Sequence, residues 1–264
     1  MHPILFELGP VQIRYYGLMY AIAILCALPL IQREIRRKLI PMTEDQTMNF
    51  VMLCILGGIV GARLYYVIFN WDAYRDNLWE IVKVWHGGLA IHGGVIGGTL
   101  VGWALVTHHG VPFWRMADVV APTLILGQTF GRFGNFMNGD AHGVPTEMPW
   151  GIVFPPESIA GREFPNTPIH PVMLYEMALN FCIFLLLWMI RKRPYKHDGF
   201  LACLYVGLYS IGRFVVSFFR ADNLMFEQFS VPHVISILLM ALAGGLIFRG
   251  RLWEQIPAMD KKKS

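Results

Sequence analysis

The run Val119–Asp140, VVAPTLILGQTFGRFGNFMNGD, starts as apolar membrane sequence and ends with Arg132, Asn135, Asn138 and Asp140. A guanidinium cannot shed its charge at any accessible pH, so Arg132 must meet a partner inside or at the edge of the span. The pattern Arg-x-x-Asn-x-x-Asn sets three polar side chains on one face of a helix, with Gly131 and Gly134 between them. Crossing hydrocarbon requires nothing of the kind. The pattern therefore points to a bound polar group.

Composition sets the context. Of 264 residues 55% are hydrophobic and 15% charged, with 14 Met and 18 Phe, the balance of a polytopic membrane protein. Apolar runs near the length needed to cross about 30 Å of hydrocarbon occur around Tyr15–Ile31, Met48–Phe69, Gly88–Val106, Val119–Met137, Pro171–Ile190, Phe200–Phe219 and Val234–Phe248. The expected fold is thus all-α and polytopic, with about seven transmembrane helices. Alternate connections carry 14 basic residues on one side (Arg33, Arg36, Arg37 and Lys38, then Arg115, the 191–196 cluster and the C-terminal group) and five on the other. The positive-inside rule then puts the N-terminus outside and the C-terminus inside.

The cluster Arg33–Lys38 follows the first span, the reverse of a cleaved signal peptide, so this span is expected to be retained. The net charge of +4 belongs to the cytoplasmic flanks, and no basic patch with interleaved aromatics suggests nucleic acid as a partner. Cys26, Cys54, Cys182 and Cys203 fall in spans without Cys-x-x-Cys spacing, which argues against a disulfide framework or a zinc site. Any thiol chemistry would draw its thiol from the substrate.

Organisation is that of a single transmembrane domain over 1–264. Residues 70–86 mix Trp, Tyr and charges, as expected of a segment lying along the outer interface. Residues 139–170 hold six prolines and should form an irregular extracytoplasmic cap, and 249–264 form a cytoplasmic tail. No inverted repeat is evident.

The span after His92 carries Gly93, Gly94, Gly97, Gly98 and Gly102. Gly94, Gly98 and Gly102 recur every four residues, leaving a face of bare backbone for another helix or a lipid tail. His92 itself is either an interhelical hydrogen bonder or a proton acceptor. In the sixth span Tyr205, Tyr209, Arg213, Ser217 and Arg220 share a face that cannot meet lipid. Arg220, near the outer end, is expected to snorkel to the interface. Arg213 lies deeper and needs a buried partner, for which Glu176 on the fifth span is the obvious anion. Arg63 is read as a structural pair or a further headgroup contact, and Asp118 as the cap of its own helix. Arginines, a histidine, asparagines and tyrosines at the outer ends of different spans describe a site for an anionic amphiphile. Arginine suits phosphate because its planar fork donates two parallel hydrogen bonds.

These residues resemble the prolipoprotein diacylglyceryl transferases of bacterial cytoplasmic membranes. Gly131–Gly143 (GRFGNFMNGDAHG) follows that family's signature, and the likeness continues through Tyr15–Tyr20, Gly87–Gly94, His170-Pro171-x-x-Leu174-Tyr175-Glu176 and Tyr209-x-x-x-Arg213, in the family's order. Two positions depart from it. Asp140 stands where the family usually has Glu, and Ser217 where many members carry Glu one turn after the arginine.

The resemblance implies a multi-pass enzyme of the bacterial inner membrane with its active site toward the extracytoplasmic side. Its substrates would be phosphatidylglycerol and the lipobox peptide of a prolipoprotein, among membrane lipids. It would transfer the sn-1,2-diacylglyceryl group to the lipobox cysteine thiol, forming a thioether and releasing glycerol 1-phosphate, without cofactor or metal. On that reading Arg132 and Arg213 grip the phosphate and His92 is the general base for the thiol. Asn135, Asn138, Tyr16, Tyr209, Glu176, Asp140 and Gly143 would bind the lipid headgroup. A transporter or flippase for an anionic lipid is the rival class, and a pseudo-symmetric repeat would favour it.

Overall fold

The computed structural model describes residues 4–8, 11–223, 225–226 and 229–256. Lys261, Lys262 and Lys263 of the expected tail lie outside them. Each of the seven apolar runs forms a helix. These are α1 (Tyr15–Arg37), α2 (Glu44–Phe69), α3 (Ile91–His108), α4 (Phe113–Asn138), α6 (Val172–Ile190), α7 (Phe200–Ser217) and α8 (Val231–Gly250), with a short α5 (Ile159–Glu163) between α4 and α6. The protein is a helical, polytopic membrane protein. Two two-stranded hairpins, β1–β2 (Ile4–Leu8, Val11–Arg14) and β3–β4 (Met225–Phe226, Phe229–Ser230), precede α1 and α8.

Five helices (α1, α2, α6, α7 and α8) are long and apolar enough to cross a membrane. The other two runs are helical but more polar. His92 and His108 sit near the ends of α3, and α4 bears Arg115, Asp118, Gln128, Arg132, Asn135 and Asn138.

The chain divides into two compact units, residues 30–116 and residues 1–29 with 117–264. In the 30–116 unit, α2 opens with a capping box: Gln46 N–H donates to Thr43 Oγ1 at 3.2 Å and Thr43 N–H to Gln46 Oε1 at 2.8 Å. Glu44 and Asp45 add negative charge at the positive end of the helix dipole. The bare face of α3 is covered by α2. A Cβ on Gly93 or Gly97 would lie 2.3 Å from the carbonyl oxygens of Gly61 or Gly57, whereas one on Gly94 would meet only ordinary contact at 3.5 Å. The two backbones thus touch most closely through Gly93 and Gly97, with a Cβ on Gly98 or Gly102 falling 3.3 Å from Cys54, and this glycine surface serves helix packing.

Arg63 is 4% exposed, and carbonyl oxygens take up its guanidinium. It donates to Ile81 at 2.9 Å and Gly88 at 3.1 Å, and more closely to Glu80 and Gly87, with Tyr74 against its face at 5.0 Å. It is a peg for residues 70–88, which run in three short 3-10 turns bearing the exposed Trp71, Trp79 and Trp85. Neither role expected for Arg63 is realised within this unit, because backbone carbonyls supply its partners. Arg63→Met should leave these carbonyls unpaired, and hydrogen exchange of 70–88 should rise by at least about tenfold while α2 stays protected. Glu80 in this segment is held below the usual carboxylate range by hydrogen bonds from Lys83 and His86. A lowered carboxyl stabilises above its unfolded pKa and loses that contribution as pH falls through the folded value. Protection of the segment, taken relative to the intrinsic exchange rate at each pH, should therefore fall as pH drops below the ordinary carboxylate range.

The other unit holds the polar residues of α4, α6 and α7. Its apolar core has two parts, Ile125, Ile183, Leu187 and Leu201 among the helices, and Phe154, Ala160 and Ile169 of the 139–170 segment with Val172, Met173 and Val216. That segment is more ordered than its six prolines suggest. Bridges join Gly143 to Arg220 and both Pro145 and Ile152 to Ile169. Asp118 caps a helix, but not its own. Its carboxylate accepts from the N–H groups of Gly199 at 2.9 Å and Ala202 at 3.0 Å, closing the N-terminus of α7.

Candidate functional site

Helical spacing at the end of α4 brings Asn135 and Asn138 to one carboxylate. Asn135 Nδ2 donates to Asp140 Oδ1 at 2.7 Å, Asn138 Nδ2 donates to Asp140 Oδ2 at 3.0 Å, and Tyr16 Oη lies 3.2 Å from both oxygens. Asn135 Nδ2 also closes on Tyr16 Oη. The shorter Asp140 thus reaches its partners because the chain turns back directly after α4, with Gly139 in the left-handed region at φ 69°. Tyr16, Asn135, Asn138 and Asp140 are one hydrogen-bonded group.

Arg132 links this group to a second one. Its Nη1 donates to Asn135 Oδ1 at 3.3 Å and its Nη2 lies 2.5 Å from Glu176 Oε2. Glu176 Oε1 in turn accepts from Arg213 Nη1 and Arg220 Nη1, both at 2.8 Å. One carboxylate, its side chain 4% exposed, therefore serves three guanidiniums. Arg220 does not snorkel. Its side chain is 6% exposed and forked onto Asp222, Nε to Oδ1 at 2.9 Å and Nη2 to Oδ2 at 2.6 Å.

This arrangement accounts for the missing carboxylate at position 217. Ser217 is 2% exposed and its hydroxyl has no partner among the described residues, while the charge expected from it comes from Glu176 on α6 and Asp222 beyond α7. Asp222 escaped sequence reasoning. Its signal, an acid two residues after an arginine at a helix end, reads as an ordinary polar turn.

The three arginines are not equivalent. Arg220 gives three donors to its two carboxylates and is closed off from solvent, its side chain 6% exposed. Arg132 and Arg213 have side chains 20% and 19% exposed, and each keeps donors beyond those used by Glu176 and Asn135. A guanidinium has five N–H donors in a planar fork. Two such forks, held by one shared carboxylate, have the donor arrangement that suits a tetrahedral oxyanion.

Gly143 pairs with Arg220 as an isolated bridge, and a Cβ there would lie 2.4 Å from the His170 carbonyl oxygen and 2.8 Å from that of Phe219. It lets the capping segment lie against the backbone that carries Arg220. Tyr209 lies one turn before Arg213, its ring 6.2 Å from that of Tyr205. Tyr175 Oη accepts from Trp150 Nε1 at 2.6 Å and lies 3.2 Å from His170 Nδ1. His92 belongs to the 30–116 unit, where it is exposed in the first turn of α3, its ring 6.0 Å from that of Tyr65.

Residues 3–249 match the family model described as prolipoprotein diacylglyceryl transferase. The chain belongs to the prolipoprotein diacylglyceryl transferase family. Relatives named phosphatidylglycerol–prolipoprotein diacylglyceryl transferase include that of Fusobacterium nucleatum, 40% identical with 92% of this chain and 96% of the relative covered. The protein of that name from Thermosynechococcus vestitus is also 40% identical, over 92% of this chain and 90% of its own length. The one from Listeria welshimeri is 39% identical, over 96% and 91%. As a member of the prolipoprotein diacylglyceryl transferase family the protein is a transferase, and its Arg132–Glu176–Arg213 cluster lies within the matched region.

Proposed function

We propose that this chain transfers the sn-1,2-diacylglyceryl group of phosphatidylglycerol to the lipobox cysteine of prolipoproteins in a bacterial cytoplasmic membrane. All seven long helices cross, as a single transmembrane domain, with the N-terminus and the active site on the extracytoplasmic side. The observation that carries the reading is the pair of partly open forks, Arg132 and Arg213, held by Glu176.

The reaction is a displacement at the glycerol carbon bearing the phosphate ester. The thiol sulfur forms a bond to that carbon, the carbon–oxygen bond breaks, and the electron pair leaves with glycerol 1-phosphate. Negative charge gathers on the departing phosphate oxygens. The free donors of Arg132 and Arg213 strengthen as it does, which is how fixed donors lower a barrier. Asn135, Asn138, Tyr16 and Asp140 orient the headgroup, with Tyr209 beside Arg213 and Gly143 holding the wall behind them. Glu176 keeps the two forks apart and aimed.

The thiol must lose its proton, and His92 takes it. Imidazole near 6.5 and thiol near 8.5 are close enough for efficient transfer. His92→Gln should reduce kcat by about 10²-fold or more, and part of the loss should return when the acceptor is presented at high pH as thiolate. Near-normal turnover of this variant would remove His92 from the role. The reaction itself is tested with purified protein, phosphatidylglycerol vesicles and a lipobox peptide. The peptide should gain the mass of one diacylglyceryl unit. Lipid movement without that covalent product would instead favour a transporter.

A further inference from the structure

Beneath the arginine cluster lies a second polar layer that the displacement does not use. Gln128 precedes Arg132 by four residues on α4, Asn180 follows Glu176 by four on α6, and Ser210 precedes Arg213 by three on α7. Each therefore shares a helix face with a member of the cluster, one turn away. The helix registers bring them to one level. Arg132 meets Glu176 while Ile125 and Ile183 share a core cluster, which brackets Gln128 and Asn180. On the other side Glu176 meets Arg213, and a Cβ on Gly212 would touch Leu179, which sets Asn180 level with Tyr209 and Ser210.

Asn180 is 3% and Ser210 1% exposed, yet Asn180 Nδ2, Ser210 Oγ and Gln128 Oε1 have no hydrogen-bond partner among the described residues. Leaving buried polar atoms unmade is costly, most of all in a bilayer interior. Gln128 Nε2 lies 2.9 Å from Tyr205 Oη. Turning this amide over keeps that contact, with the tyrosine as donor, and frees an N–H. Each of the three side chains then carries an unpartnered donor at one level of α4, α6 and α7. No cation is among them, so their complement is an uncharged acceptor.

We propose that Gln128, Asn180 and Ser210 form a subsite for a glycerol-ester carbonyl of the lipid, selecting diacyl over dialkyl phospholipid. It rests on the transferase reading for its orientation. A phospholipid held at its phosphate by Arg132 and Arg213 carries its ester carbonyls a few bonds further toward the bilayer centre. A helical turn of four residues is about 6 Å, which matches that offset. The dialkyl ether analogue has no carbonyl, so it leaves the donors unpaired, the situation in which hydrogen-bonding sites discriminate best.

The test compares phosphatidylglycerol with its dialkyl ether analogue, in lipobox-peptide transfer and in competitive binding by native mass spectrometry. The parent protein should favour the diester by about tenfold or more in both. Asn180→Leu and Ser210→Ala should bring that ratio close to unity, chiefly by weakening the diester. Neither should lower the melting temperature, since each removes a donor that has no partner. The alanine variant serves if the leucine does not fit. Equal handling of the two lipids by the parent means the layer holds only water and overturns the proposal, as does an unchanged ratio in folded variants. Ester preference in binding without any peptide product would instead sink the transferase reading and leave the subsite standing.

Discussion

Arg132→Lys should lower diacylglyceryl transfer by about 10²-fold or more while the protein folds and inserts normally. The substitution keeps the charge and removes the fork. Arg132 meets Asn135 Oδ1 through one terminal nitrogen and Glu176 Oε2 through the other, with further donors left for a ligand. An ammonium can approach the carboxylate but cannot hold both contacts and still present paired N–H groups to a phosphate. A loss of one such donor where transition-state charge develops costs about 10²- to 10³-fold in related oxyanion sites. The effect should fall on kcat as well as KM, since the interaction strengthens on the way to the transition state. Turnover within a factor of a few of the parent would remove bidentate phosphate recognition from the mechanism. Arg220→Lys makes the control, because Arg220 is buried on Glu176 and Asp222, and its loss should act on stability first.

Glu176→Leu is expected to be the most destabilising single change at the site. It deletes the carboxylate between Arg132, Arg213 and Arg220 and leaves three guanidiniums facing one another with little water. Breaking a buried pair by removing one partner typically costs about 3–5 kcal/mol, because the remaining charge is uncompensated. The melting temperature in detergent should fall accordingly. Inorganic phosphate or glycerol phosphate should recover more of it in the variant than in the parent, since either anion can take the vacated place between the arginines. A variant as stable as the parent, with no anion dependence, would mean that the arginines are held apart by other contacts.

The helical class was legible from apolar runs because a bilayer admits only helices or closed barrels, and the runs near Tyr15, Met48, Gly88, Val119, Pro171, Phe200 and Val234 all became helices. The site was legible where its chemistry repeats along one helix. Arg132, Asn135 and Asn138 lie on one turn-by-turn face, and the structure gathers the two asparagines on Asp140. Where partners come from different helices, spacing carries no information. Asp118 reads as a cap for α4, yet the free N–H groups it meets belong to α7. Arg63 has several partners, and backbone carbonyls supply them at 17 to 25 residues' distance, so no side-chain pattern could point to them.

By itself, then, the sequence determined a helical membrane protein with polar residues at the ends of several spans, and through its signature the family and the chemistry to expect. Tertiary structure alone decided which charges neutralise which. Arg220 is buried on Glu176 and Asp222 rather than extended to the interface, Ser217 needs no carboxylate, and Arg132 and Arg213 keep donors to spare. The reason is physical. Hydropathy and helical period are properties of neighbours along the chain, whereas the energy of a buried charge depends on the few ångströms around it, and those are filled by residues from other helices.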